Sequence, residues 1–205
     1  MILVTKTHLP VRKSFEKYVD RIYASNWLTN FGQLEQELTD KLKEFLEVDN
    51  LLLTSNGTLA MQVVYKALCL TGEVITTPFS FVATTSSLDW SGLKPIFVDI
   101  DINSLNLDSK LIADKITSKT SAILPVHVFG RACQVEEIQK VADANNVKVI
   151  YDAAHAFNVR MNNTGESILN FGDSTPSTGD GRTSLSPSAP MTLTFRSLKS
   201  SMTST

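Results

Sequence analysis

The stretch VKVIYDAAHAF, residues 147–157, decides the fold. Val147, Lys148, Val149 and Ile150 make a short, largely β-branched run, the pattern of a buried strand in a parallel sheet. Tyr151 and Asp152 sit at its carboxyl end, where ligands gather in open α/β sheets. The small residues Ala153 and Ala154 let a flat ligand lie close to the backbone, and His155 follows. A buried carboxylate needs a cationic partner or several donors, or it neutralises. A protonated heteroaromatic nitrogen on a cofactor is one such partner. An Asp that merely caps the following turn is the plainer reading, and this stretch alone leaves both open.

Upstream, strands and helices alternate. Strands are expected at 51–53, 73–76, 95–98 and 122–126, with helices at 58–70, 79–90, 111–116 and 135–145 between them. That spacing predicts a mostly parallel sheet covered by helices, a three-layer α/β/α arrangement with right-handed crossovers. Two helices precede the first strand. One carries Phe15, Tyr18, Val19 and Ile22 on a single face. The other, over 33–47, carries Leu34, Leu38, Leu42, Phe45 and Leu46 opposite a charged face. The loop SNWLTNFG, with an exposed-looking Trp27, joins them. These apolar faces must pack on the sheet domain or on a second subunit.

Composition bounds the reading. The chain has 205 residues, 42% hydrophobic and 20% charged, which suits one globular α/β domain with an appendage. A formal net charge of −2 without a Lys/Arg cluster argues against nucleic acid or an anionic membrane as partner. Cys69 and Cys133 read as packed thiols of a reducing compartment rather than a disulfide framework. The amino terminus lacks the apolar core of a signal peptide, and no apolar run reaches membrane-spanning length. The expectation is a soluble cytoplasmic protein.

Three further places hold chemistry. Ser55, Asn56, Gly57 and Thr58 lie between the first strand and its helix. A helix start of this kind offers free backbone amides and a positive dipole end, suited to phosphate. It has neither Walker spacing nor G-x-G-x-x-G, and taken in isolation the turn reads first as an ordinary N-capped helix, with Ser55, Asn56 or Thr58 as cap. Phe79 and Phe81, two apart at a helix start, point in different directions, and with no other context both rings belong in the core. His127 and His155 follow the carboxyl ends of two strands. No carboxylate or Cys accompanies them at ligand spacing, which argues against metal and for a polar site wall.

Taken together, SNGTLAMQ, GEVITTPFSFVATTSSLDWSGLKPIFVDID, TSAILPVHVFG and VIYDAAHAF, in this order, resemble the DegT/DnrJ/StrS family of sugar aminotransferases. NWLTNFGQLEQELTDKLKEFLEV is similar to that family's amino-terminal segment, and the likeness runs from about residue 3 to 173. It implies the large domain of an aspartate aminotransferase-like fold, pyridoxal phosphate as cofactor, and amino transfer, usually from glutamate, to the keto group of a nucleotide-linked sugar. Such sugars supply surface polysaccharide or glycosides. By position, Gly57 and Thr58 would give amides to the cofactor phosphate, and Phe81 would stack on the pyridine ring. Asp152 would pair with the protonated ring nitrogen, and His155 would pack near the ring. The family's homodimer builds each site from two subunits.

The resemblance has one severe departure. After Phe171, Gly172 and Asp173 the family continues to a SFHATK-like segment whose lysine bonds covalently to the cofactor. That lysine would fall near Thr183, and the first lysine after Lys148 is Lys199. Half of the last 32 residues are Ser or Thr, so disorder is expected over 174–205. The organisation expected is an amino-terminal helical segment over 1–48, an incomplete cofactor-binding α/β domain over 49–173, and the tail. An inactive truncated or frameshifted fragment of an aminotransferase is the leading expectation. A non-catalytic partner of a full-length aminotransferase subunit is the alternative. A dehydratase relative with His in place of the lysine ranks below both, since the tail holds no His. Gln134 stands where the family often has an Asp capping the next helix, a local loss only.

Overall fold

The computed structural model describes residues 9–178 and 191–195. Helices α1 (Arg12–Ser25) and α2 (Gln33–Leu46) come first. Then follow β1 (Leu51–Thr54), α3 (Gly57–Ala67), β2 (Glu73–Thr76), α4 (Val82–Trp90), β3 (Lys94–Phe97) and β4 (Thr120–Ile123). After these come α5 (Val135–Asn145), β5 (Lys148–Val149), β6 (Ser174–Thr178) and β7 (Met191–Phe195).

Strands β3, β2, β4 and β5 pair in that order, all parallel. On the other side, β7 runs antiparallel between β6 and β1. A parallel bridge from Ile150 to Ser174 joins the two groups. The Tyr151 N–H donates to Ser174 O at 3.0 Å and the Ala153 N–H to Pro176 O at 2.7 Å. The sheet therefore reads β3-β2-β4-β5-β6-β7-β1, with β7 antiparallel to the others among the described residues. This is the mostly parallel three-layer arrangement expected, the large-domain sheet of the aspartate aminotransferase-like fold.

Neighbouring residues of each strand feed opposite faces, as a period of two requires. Val74, Ala122 and Ile150 meet α3 and α4 through Val64, Tyr65 and Leu88. Ile75, Ile123 and Val149 meet α5 through Val135, Ile138 and Ala142. Both clusters are almost wholly buried. Helix α2 packs against β1 and sinks Leu46 into a third cluster with Ala156 and Ile168. Helix α1 buries no residue, and its Phe15 and Tyr18 face solvent. Arg21 reaches Glu37 at 2.7 Å, an exposed ion pair between α1 and α2 that adds little stability.

Several expectations need correcting. Disorder from residue 174 onward does not hold for 174–178 and 191–195, which are strands. Their composition is poor in apolar residues, yet Met191, Leu193 and Phe195 alternate with Thr192 and Thr194, and Thr is a good strand former. The expected disorder of 179–190 and 196–205, with Thr183 and Lys199, lies outside the described residues. The segment 111–116 forms two short 3-10 turns, 109–111 and 113–115, rather than a helix. Helix α4 starts at Val82, not Phe79, because the Phe79 N–H turns back to Thr77 Oγ1. Cys69 is exposed, while Cys133 is packed as expected. Among the described residues no helix is long and apolar enough to cross a membrane.

Gly172 opens the turn into β6 at φ 74°, and a Cβ there would lie 2.9 Å from Tyr151 Cδ2 and 2.9 Å from Val149 O. Only glycine fits both the left-handed backbone and the closeness of β5.

Candidate functional site

The carboxyl ends of β1, β2, β4 and β5 bring the expected site residues to one edge of the sheet. Beyond β1, Asn56 caps α3: its Oδ1 accepts from the Leu59 N–H at 2.9 Å, and its carbonyl accepts the Ala60 N–H at 3.1 Å. Helix geometry leaves the other two amides of the first turn, those of Gly57 and Thr58, without an intrahelical acceptor. The turn is thus a capped helix start and an anion-ready one at once.

Asp152 is buried at 5% exposure. Thr84 Oγ1 donates to its Oδ2 at 3.0 Å, and the Ala154 N–H donates to its Oδ1 at 3.0 Å. Burial pushes its carboxyl above the ordinary carboxylate range, while these two hydrogen bonds and the charge of His155 pull the other way. Asp152 takes part in no ion pair among the described residues. A carboxylate so placed is a strong acceptor for a cationic ligand group.

Three aromatic residues and His155 follow the neighbouring strand ends. Phe81 precedes α4 in its N-cap position and is 59% exposed; Phe79 is 42% exposed and meets Phe129 edge-on at 6.4 Å. Neither ring is in the core, contrary to the isolated reading of that stretch, because α4 begins after both of them. The His155 ring lies parallel to Phe129 with centroids 6.1 Å apart, and its Nδ1 is buried without a hydrogen-bond partner.

His127 does not line the site with His155. It is wholly buried, stacks on Tyr151 at 4.8 Å, and accepts the Cys133 N–H at Nδ1 over 3.0 Å. Burial lowers its pKa to about 3, so it is a neutral core residue. Gln134 makes no side-chain cap on α5; its Oε1 accepts from Ser109 Oγ at 2.6 Å instead. Thr84 was not singled out by the sequence. It is one of several hydroxyl residues on α4, and only the packing of α4 across β5 distinguishes it.

The sequence pattern of the DegT/DnrJ/EryC1/StrS aminotransferase family matches residues 10–176. A dTDP-4-amino-4,6-dideoxy-D-glucose transaminase from Escherichia coli is 52% identical over 160 residues, covering 78% of this chain and 43% of that protein. The crystal structure of DesI in the presence of its TDP-sugar product matches at TM-score 0.82 and 31% identity, over 90% of this chain and 47% of that one. NtdA from Bacillus subtilis, solved with bound cofactor PMP, matches at TM-score 0.77 and 26% identity, over 90% and 42% respectively. The chain spans a little under half the length of these relatives. With a match that runs through Gly57, Thr58, Phe81, Asp152 and His155 and on into β6, the chain belongs to the DegT/DnrJ/EryC1/StrS aminotransferase family.

Proposed function

We propose that this chain forms the pyridoxal-phosphate-binding part of an aminotransferase acting on a nucleotide-linked keto-sugar. The observation that carries this is Asp152: a buried carboxylate at a strand end, both oxygens oriented by donors, with no ion pair among the described residues. Gly57 and Thr58 would hold the cofactor phosphate through their backbone amides. Phe81 would cover one face of the ring, Asp152 would pair with the protonated ring nitrogen, and His155 would wall the ring. The His155 Nδ1, which has no hydrogen-bond partner among the described residues, and the two open amides each suit a polar ligand, the amides an anionic group. When bound, the cofactor supplies an electron sink for the amino group's carbon. Asp152 would hold the ring nitrogen in its protonated form through a charge-assisted bond worth about 1.5–3 kcal/mol.

The stretch where the family places its lysine holds none before Lys199. That lysine would activate the cofactor's aldehyde and carry the proton between carbons. The residues present therefore support weak, non-covalent binding and no useful transamination. The relatives' names support a dTDP-linked sugar for the complete enzyme, the amino sugar being the aminated form of the keto-sugar substrate. The exposed apolar face of α1 supports a homodimer.

Reduction of the chain with borohydride in the presence of pyridoxal phosphate, followed by mass spectrometry, tests this. Saturable binding without a stoichiometric adduct on one lysine is expected. A full adduct at Lys199 would show that the tail supplies the missing amine.

A further inference from the structure

Thr84 lies in the first turn of α4 and is 1% exposed. Its hydroxyl donates to Asp152 Oδ2 at 3.0 Å, and its backbone N–H donates to Phe81 O at 3.0 Å. The same turn therefore touches both the acid and the residue proposed to cover the ring. One turn further, Ser87 Oγ donates to Thr84 O at 3.2 Å. Ser87 Oγ also shares a hydrogen bond with the Tyr65 hydroxyl, 3.1 Å away. Tyr65 belongs to α3, the helix whose first turn exposes the Gly57 and Thr58 amides. Tyr65, Ser87, Thr84 and Asp152 are all buried, so the hydrogen-bonded chain between them is shielded from water.

We infer that Thr84 is a positioning residue for Asp152, fixing the carboxylate's orientation and ionisation and holding it in register with α3 and Phe81. The inference rests on the cofactor reading above. A protonated ring nitrogen pairs only with an ionised Asp152. Burial opposes that ionisation, and the Thr84 hydroxyl is one of two hydrogen bonds that favour it. The titratable groups that sense Asp152 are His155, whose charge favours the carboxylate, and Tyr65 and Cys133. Burial raises the last two far above their usual range, so both stay neutral wherever Asp152 titrates. They cannot supply the positive charge that Asp152 wants. Without the hydroxyl, one carboxylate oxygen would be buried and unpaired, and the group would protonate or turn away.

The test uses the full chain and pyridoxamine phosphate, which has no aldehyde and reports non-covalent binding alone. Affinity is measured against pH, with thermal melting and circular dichroism for each variant. In the wild type, affinity falls as pH drops and Asp152 protonates. Thr84→Val should weaken binding about tenfold at neutral pH and move this acid limb to higher pH. Thr84→Ser keeps the hydroxyl and should retain both affinity and limb. A purely structural role would lower the melting temperature of Thr84→Val and leave its limb in place. A Thr84→Val limb that coincides with the wild type overturns the inference. So does a Thr84→Ser limb shifted upward, which decides the matter even where Thr84→Val fails to fold. Asp152→Asn separates the two levels. If it binds like the wild type, the cofactor reading itself fails. If it alone differs from the wild type, that reading stands and the role of Thr84 is overturned.

Discussion

Asp152 carries a conflict between stability and ligand binding. Its folded-state pKa lies above the unfolded value of 3.8 because burial disfavours the charge. The folded chain therefore binds more protons than the unfolded chain between those two values. By linkage, stability without ligand is greatest below the ordinary carboxylate range and is lost as pH rises toward the folded value. Asp152→Asn keeps the shape without the buried charge: its oxygen can accept from the Ala154 N–H while its amide N–H donates to Thr84 Oγ1. It is expected to raise the melting temperature of the ligand-free chain at neutral pH relative to the wild type, and the gap should shrink as pH approaches about 4. A gap of constant size would contradict this. His127 works in the opposite direction. Its folded pKa of about 3 lies below the ordinary 6.5. The unfolded chain takes up the extra proton there, so His127 costs stability as pH falls through that window. His127→Phe should flatten this acid slope, while leaving the Cys133 N–H unpaired at a cost of about 1–3 kcal/mol. Urea titrations at several pH values read both quantities.

At the scale of elements, β6 and β7 matter most. They link β5 to β1 and convert two separate sheets into one. Composition hid them: averaged over 174–205, Ser and Thr outweigh apolar residues, although Met191 to Phe195 taken alone alternates with a period of two. A five-residue pattern inside a polar stretch is decided by the slot it fills, between β1 and β6, which no local reading contains. The parallel strands were plain for the opposite reason. Val74–Ile75 and Val149–Ile150 are apolar on both faces, and such runs announce a buried strand on their own. Hydrogen exchange should find the amides of 192–194 protected to a degree comparable with Ile123 and Val149, and those of α1 exchanging quickly. Rapid exchange at 192–194 would show that β7 does not hold its place. At the β6 entrance, Gly172→Ala forces a side chain against Tyr151 and Val149 at positive φ. A loss of about 2–4 kcal/mol is expected in chemical denaturation.

For the whole molecule, the exposed face of α1 is the least satisfied feature. Phe15 is 56% and Tyr18 45% exposed, an arrangement suited to pairing with a second copy. Sedimentation should show a concentration-dependent dimer that Phe15→Glu shifts to monomer. The placement of Gly57, Thr58, Phe81, Asp152 and His155 beyond strand ends was legible, because the alternating pattern locates those ends. Thr84 and the inward placement of His127 were not, since both depend on how α4 and β5 pack in three dimensions. We propose that these strand ends bind pyridoxal phosphate through Asp152. Isothermal titration of pyridoxamine phosphate into the full chain and into Asp152→Asn tests it most directly. The account predicts one saturable site in the wild type and binding at least about tenfold weaker in the variant. Equal affinity in the two, or no saturable binding to the folded wild type, would contradict it.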